Sequence, residues 1–168
     1  YDTLDRLLTV TDPLGYTVNY QYDGNSRLVQ REDTAGVRTR YTYNPASRLI
    51  KRSYASGQVD IFRYDNRGNM TVAGNGTYTA TMQYDGESRL IDVNLHSPAF
   101  TAMPQIHYSY DPLGNRIQSV VADGVINYTT NYTYDLLNRL VQSIDSDGRH
   151  WTTTYNTVGR RATLTLPD

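Results

Sequence analysis

The segment NYTYDLLNRL, residues 131–140, gathers a phenol at Tyr134, a carboxylate at Asp135 and a guanidinium at Arg139. A carboxylate can serve as general acid or base or hold a hard cation, and a guanidinium can clamp an anion with its fork of donors. The same trio returns along the whole chain. Tyrosine with aspartate or asparagine stands at Tyr1-Asp2, Tyr22-Asp23, Tyr43-Asn44, Tyr64-Asp65, Tyr84-Asp85, Tyr110-Asp111, Tyr134-Asp135 and Tyr155-Asn156, in steps of 21, 21, 21, 20, 26, 24 and 21 residues. Arginine lies five residues after the tyrosine at Arg6, Arg27, Arg48, Arg89, Arg139 and Arg160, with Asn69 and Asn115 in the other two places.

The repetition tests the chemistry. Asn44 and Asn156 keep an oxygen acceptor but lose the titratable proton and the charge. Acid–base catalysis and hard-metal binding need that charge, whereas an Asx turn needs only an oxygen to accept a backbone N–H two residues on. The motif aspartates are therefore read as turn acceptors. Residues before the arginine, Ser26, Ser47, Gly68, Ser88, Gly114, Asn138 and Gly159, suit a tight loop leading into a strand. The arginines are read as lying across a neighbouring tyrosine face or pairing with a turn carboxylate. The rival reading, a row of cations for a sulfated glycan, is opposed by the net charge of −1.

His96, His107 and His150 sit in different repeats without metal-ligand spacing, and no nucleophile elbow, zinc-helix motif or phosphate loop occurs. His96, His107 and Trp151 are the nearest candidates for an enzyme, and none has a partner set. Neither catalytic residues, metal nor cofactor is assigned, and the expectation is a chain that is not an enzyme. Asn-x-Thr triplets begin at Asn69, Asn75, Asn127 and Asn131, as a chain rich in both residues produces by composition.

Something must hold these side chains, and the residues between them give it away. Within a repeat, runs rich in Tyr, Val, Thr and Ile flank a turn signal, DPLG at residues 12–15, DTAG at 33–36 and DSDG at 145–148. Such a pattern reads as a β-hairpin, and no segment sustains a helical period. Two residues before each motif tyrosine, on the same face of a strand, stand Tyr20, Tyr41, Phe62, Met82, Tyr108, Tyr132 and Thr153. These columns predict ladders of stacked rings between neighbouring hairpins. The expected fold is all-β, a repetitive antiparallel β-hairpin ribbon without helix, coiled into a spiral because strand twist forbids a long flat strip. Residues 1–168 form one array of about 7.5 repeats, with the long fifth repeat enlarged at NLHSPAFTAMPQ. The array breaks off inside a repeat, so the chain is expected to be an excerpt of a longer one.

Composition narrows the partners. Charged residues of both signs are interspersed, 16 against 17, which leaves no field for nucleic acid. The longest apolar run is too short to span a membrane as a helix. With no cysteine, disulfides are excluded. Sixteen tyrosines against two phenylalanines suit half-covered surfaces, since tyrosine buries a ring and keeps a wettable end. Mean hydropathy of −0.61 argues against a thick core.

The consensus Tyr-Asp-x-x-x-Arg-Leu, then a glycine turn, then Tyr-x-Tyr-Asp, resembles the YD repeats of the Rhs family, found in bacterial Rhs toxins, toxin-complex shells, wall-associated proteins and teneurins. The resemblance covers the whole chain. It implies a structural, secreted or surface-exposed bacterial protein whose ribbon forms a shell wall or a self-assembling extracellular fibre. Partners would be further copies or neighbouring YD repeats through open β edges, with an enclosed cargo or a glycan as further possibilities. A glycan- or cell-surface-binding module and the toxin-encapsulating wall of a larger Rhs protein stand as alternatives. The self-cleaving core signature of Rhs proteins does not occur, so neither autoproteolysis nor toxicity is carried over.

Overall fold

The computed structural model describes residues 1–100 and 103–167. Its fifteen strands are β1 Thr9–Thr11, β2 Thr17–Tyr22, β3 Leu28–Glu32, β4 Arg38–Tyr43, β5 Leu49–Tyr54, β6 Val59–Tyr64, β7 Met70–Gly74, β8 Thr79–Tyr84, β9 Leu90–His96, β10 Gln105–Tyr110, β11 Arg116–Ala122, β12 Asn127–Tyr134, β13 Leu140–Asp145, β14 His150–Tyr155 and β15 Arg161–Thr165. The chain divides into two compact units, Tyr1–Thr79 and Ala80–Asp168. In the first, β1 to β7 each pair antiparallel with the next. In the second, β8 lies beside β9, and β9 to β15 continue the same meander. The described residues contain no helix. This is the all-β hairpin ribbon read from the repeat.

Alternation sorts the side chains onto two faces. Tyr20, Tyr41, Phe62, Met82, Tyr108, Tyr132 and Thr153 are half-buried, whereas Gln21, Thr42, Arg63, Gln83, Thr133 and Thr154, one residue further on, are exposed. No hydrophobic side chain among the described residues is fully buried. A single layer cannot enclose a ring, so each ring is covered only along its flanks.

The expected ring ladders do not form as drawn. Successive columns are separated by a return strand, which places Arg31 and Thr39 beyond Tyr20, Arg52 and Asp60 beyond Tyr41, and Ser119 and Thr130 beyond Tyr108. Two strand spacings are about 10 Å, beyond the reach of a stacked ring pair. Polar and cationic side chains fill the gap instead.

A feature without a sequence signature is a register shift just before six of the motif turns, between Gln21/Tyr22, Thr42/Tyr43, Arg63/Tyr64, Ser109/Tyr110, Thr133/Tyr134 and Thr154/Tyr155. Each leaves one extra residue on the returning strand, for example Val29 opposite the step from Gln21 to Tyr22. Such a bulge re-aims the flanking side chain. The enlarged fifth repeat is accommodated at the turn side opposite the motif, where Ser97 bridges Phe100 and the Leu95 N–H reaches the Pro104 carbonyl. Thr101 and Ala102 of that stretch lie outside the described residues.

Tyr132 loads both flanks of its ring, with the Arg116 guanidinium 4.8 Å from the centroid and Ser119 Oγ 3.1 Å from the hydroxyl. Being half-buried, it should lose about 2 kcal/mol on Tyr132→Ala, less than the roughly 3–5 kcal/mol of an enclosed aromatic. Urea denaturation followed by circular dichroism measures the difference.

Candidate functional site

The Tyr-Asp-Arg trio forms a joint built around a tight turn. In Asp23-Gly24-Asn25-Ser26-Arg27, the Asp23 carbonyl accepts the Ser26 N–H at 3.0 Å and the Asp23 N–H donates to the Arg27 carbonyl at 2.9 Å. Ser26 therefore takes the left-handed conformation, φ 60°, as do Asp5, Ser47, Ser88 and Asn138 at 58°, 58°, 64° and 58°. Short polar residues and glycine tolerate that region best. Asp23 Oδ1 accepts the N–H groups of Asn25 and Arg27 at 2.9 and 3.0 Å, and Asp135 Oδ1 those of Leu137 and Arg139 at 2.9 and 3.0 Å. Asn156 does the same with Val158 and Arg160 at 3.1 and 2.9 Å.

The opposite turns repeat this geometry. Asp12, Asp33 and Asp145 accept the second and fourth following N–H groups, with Gly15, Gly36 and Gly148 at positive φ. The turn acceptor alone does not distinguish the motif.

The second carboxylate oxygen does more, and although Asp145 Oδ2 likewise holds Arg149 Nε at 2.8 Å, the motif is set apart by where its arginine goes next. Asp2, Asp23, Asp85 and Asp135 use Oδ2 to hold Nε of Arg6, Arg27, Arg89 and Arg139 at 2.6, 2.7, 2.6 and 2.8 Å. The arginine so held reaches the next repeat. Arg6 and Arg27 Nη1 donate to the carbonyls of Asp23 and Asn44 at 3.1 and 3.2 Å and to Ser26 and Ser47 Oγ at 3.2 and 3.3 Å. Arg89 Nη1 donates to the Asp111 carbonyl at 3.2 Å. The guanidinium meanwhile lies over the next motif ring, at 4.9 Å for Arg6 on Tyr22, 5.0 Å for Arg27 on Tyr43, 4.9 Å for Arg89 on Tyr110 and 4.3 Å for Arg139 on Tyr155. A cation over a ring face is attracted by its quadrupole.

The tyrosine closes the link from the other side. Hydroxyls of Tyr22, Tyr43, Tyr64, Tyr110, Tyr134 and Tyr155 donate to the carbonyls of Leu7, Leu28, Leu49, Leu90, Arg116 and Leu140 at 2.8–3.0 Å. The turn carboxylate and the tyrosine face are thus occupied by the same guanidinium, two uses that the sequence offers as alternatives.

Exceptions act as internal controls. Asn44 still accepts the Arg48 N–H at 2.9 Å, but Arg48 stands 5.8 Å from the Tyr64 ring and 3.5 Å from the Asp65 carbonyl. A Cβ on Gly68 would come within 2.6 Å of Arg48 Nη2, so Gly68 serves both its φ of 98° and the displaced arginine. Where asparagine replaces arginine, Asp65 and Asp111 Oδ2 accept the Asn69 and Asn115 Nδ2 donors, both at 2.9 Å. Asn115 also reaches Asn138 Oδ1 in the next turn at 3.0 Å, and Arg116 sits between Tyr108 and Tyr132 at 5.2 and 4.8 Å.

Asp60 is the constellation that the repeat conceals. It is the most buried charged residue described, and its Oδ2 accepts from Arg52 Nε and the Tyr54 hydroxyl, each at 2.8 Å. The signal was present four residues before each motif tyrosine, where Val18, Thr39, Ala80, Ile106, Thr130 and Trp151 make Asp60 the single charge. The candidates His96, His107, His150 and Trp151 are not brought together. His107 pairs with Asp92 across β9 and β10 at 2.8 Å, and His150 Nδ1 lies 3.2 Å from the Gly148 carbonyl. Among the described residues no three His, Cys, Asp or Glu side chains gather as a metal site.

The Teneurin YD-shell family model matches residues 1–166. No curated protein matches the chain. Among solved structures, the TcdB2–TccC3–Cdc42 complex superposes with a TM-score of 0.75 at 20% identity, over 90% of this chain and 9% of that one. TcdB2–TccC3 gives 0.74 at 20% identity, over 90% and 9%. The Tc holotoxin pore of Photorhabdus luminescens, with a TccC3 variant, gives 0.72 at 19% identity, over 89% and 9%. At such identity the likeness is one of fold, and this chain spans about a tenth of those proteins.

The two carboxylate oxygens separate by substitution. Asp135→Asn keeps the turn acceptor and loosens Arg139, while Asp135→Ala removes both. Urea midpoints should fall in the order native, Asn, Ala, and raising the salt should close the first gap and leave the second. Acid makes a further test. The Asp2 carboxyl is held down to about 2, first by the Arg6 side chain and then by its backbone N–H. Asp135 is lowered by Arg139, and Asp111 by the Asn115 amide. A lowered folded value stabilises above the unfolded carboxyl value of about 3.9 and ceases to as pH falls through the folded one. The thermal midpoint should hold from neutral pH to about 5 and drop between about 4 and 2.

Proposed function

We infer a function from the premise that this chain belongs to the Teneurin YD-shell family, whose model matches nearly its full length. The chain is a non-enzymatic structural element, a β-hairpin ribbon that serves as a stretch of wall in a secreted or surface-exposed YD-repeat shell. One observation carries this reading: the motif side chains are consumed in joining one repeat to the next. Arg6, Arg27, Arg89 and Arg139 lie on the following tyrosine, and Tyr22, Tyr43, Tyr110 and Tyr155 donate back to a carbonyl of the preceding repeat. Carboxylates locked in this way are held ionised and are not free to exchange protons or ligate metal.

Further repeats, of this or a neighbouring chain, are the natural partners, since a ribbon continues by pairing and by the same arginine-to-tyrosine link. The Tc toxin structures share the fold, which supports a wall around a cargo over an extracellular fibre. Electron microscopy of the protein from its native source should show closed, hollow particles. Filaments with an axial repeat would favour the fibre, and compact particles without a continuing β-ribbon would refute both.

A further inference from the structure

The face of the first unit turned away from the tyrosines is organised by charge. Register places Asn19, Glu32 and Arg38 in one row, Gln30, Arg40, Ser53 and Val59 in the next, and Thr42, Lys51 and Ile61 in a third. Arg63 follows two residues beyond Ile61 on the same face. Arg38, Arg40, Lys51 and Arg63 are all exposed. Arg38 is held by Glu32 at 2.8 Å, and Arg40 meets the neutral Gln30 amide at 3.3 Å. Glu32 is the single acid in these rows.

These positions draw a line. Arg38 and Arg40 are one side-chain repeat apart on β4, about 6.8 Å. Arg40 to Lys51 and Lys51 to Arg63 are diagonal neighbours on adjacent strands, about 7–8 Å each. The track is therefore about 20 Å long. At its Arg38 end lies a shallow depression of about 200 Å³, lined by Gly36, Arg38, Arg40, Ser53, Tyr54 and Ala55.

We propose that this track is a docking site for an extended acidic polypeptide segment, with a carboxylate seated on Arg40 beside Ser53 in the depression and further carboxylates on Lys51 and Arg63, while Arg38 stays on Glu32. Three observations choose this partner. Residues 1–79 hold ten Lys and Arg against eight Asp and Glu, so the unit is net positive although the whole chain is not. An extended peptide presents side chains on one face every 6.6–6.8 Å or so, which matches the step from Arg38 to Arg40. Nucleic-acid bases need aromatic platforms, and the rows of this face carry none; the ring lining the depression, Tyr54, already carries the Arg52 guanidinium over its face at 5.4 Å and has its hydroxyl tied to Asp60 at 2.8 Å. Arginine forks bind carboxylates with geometry as well as charge. The proposal rests on the wall reading only for the source of the segment, an enclosed cargo.

The test uses fluorescently labelled poly-L-glutamate of about 20 residues, long enough for the track, with anisotropy measured on the intact chain. Binding should weaken as salt is raised to about 0.15 M. The variant R40Q/K51Q/R63Q should bind roughly tenfold more weakly or not at all, with an unchanged circular dichroism spectrum. Arg161→Gln, in the other unit, should bind as the native protein does. No binding, or binding indifferent to the triple substitution, overturns the proposal. Tighter capture of a single-stranded oligonucleotide or a sulfated polysaccharide by the same three residues overturns the choice of polypeptide. The wall reading stands or falls by imaging, so failure here leaves it intact.

Discussion

Cohesion in this ribbon depends on one interaction, the guanidinium that is held by its own turn carboxylate and laid on the tyrosine of the following repeat. A single-layer sheet has no enclosed interior, and no hydrophobic side chain among the described residues is fully buried. Backbone pairing joins strands but is indifferent to which hairpin comes next. The arginine supplies that specificity, since it needs a ring and a turn carbonyl at a set distance beyond it. The tyrosine hydroxyl fixes the same spacing from the opposite side. Repeat length can then vary where it does not disturb the joint. The 26-residue step adds its residues between β9 and β10, and the 24-residue step lengthens β11 and β12.

Departures from the motif come as sets. Asn44 gives up one grip on Arg48, Arg48 moves off, and glycine at 68 clears the space into which it moves. Asn115 replaces an arginine, and the cation reappears one residue later as Arg116, between two rings. In both cases the turn is retained and the bridge to the next repeat is rebuilt. What the repeats preserve is the connection, with residue identity free to change around it.

The ribbon's two faces divide the work. Tyrosines, their arginines and the Arg52–Tyr54–Asp60 group occupy one face and satisfy one another. The opposite face of the first unit carries exposed cations outside the joints, Arg40, Lys51 and Arg63. In a ribbon the pleat turns every second residue to that side.

The sequence by itself determined the strands, the turns and the joint's membership. A period of about 21 residues, Asp-x-x-Gly turns and alternating tyrosines leave one class of fold, because strand period and turn chemistry are local properties carried by neighbouring residues. Asn44 and Asn156 already identified the aspartate as a turn acceptor, since the amide keeps that oxygen. Only the tertiary structure decided that one guanidinium serves both the turn carboxylate and the tyrosine, because Arg6 is four residues from Asp2 but sixteen from Tyr22, which it meets through strand pairing. It also replaced ring ladders with cation–ring contacts, as one intervening strand puts successive rings out of reach. Asp60 stood out in its column, but its partners and the Arg40–Lys51–Arg63 track were hidden for the same reason: register, which is set between strands, decides which charges become neighbours.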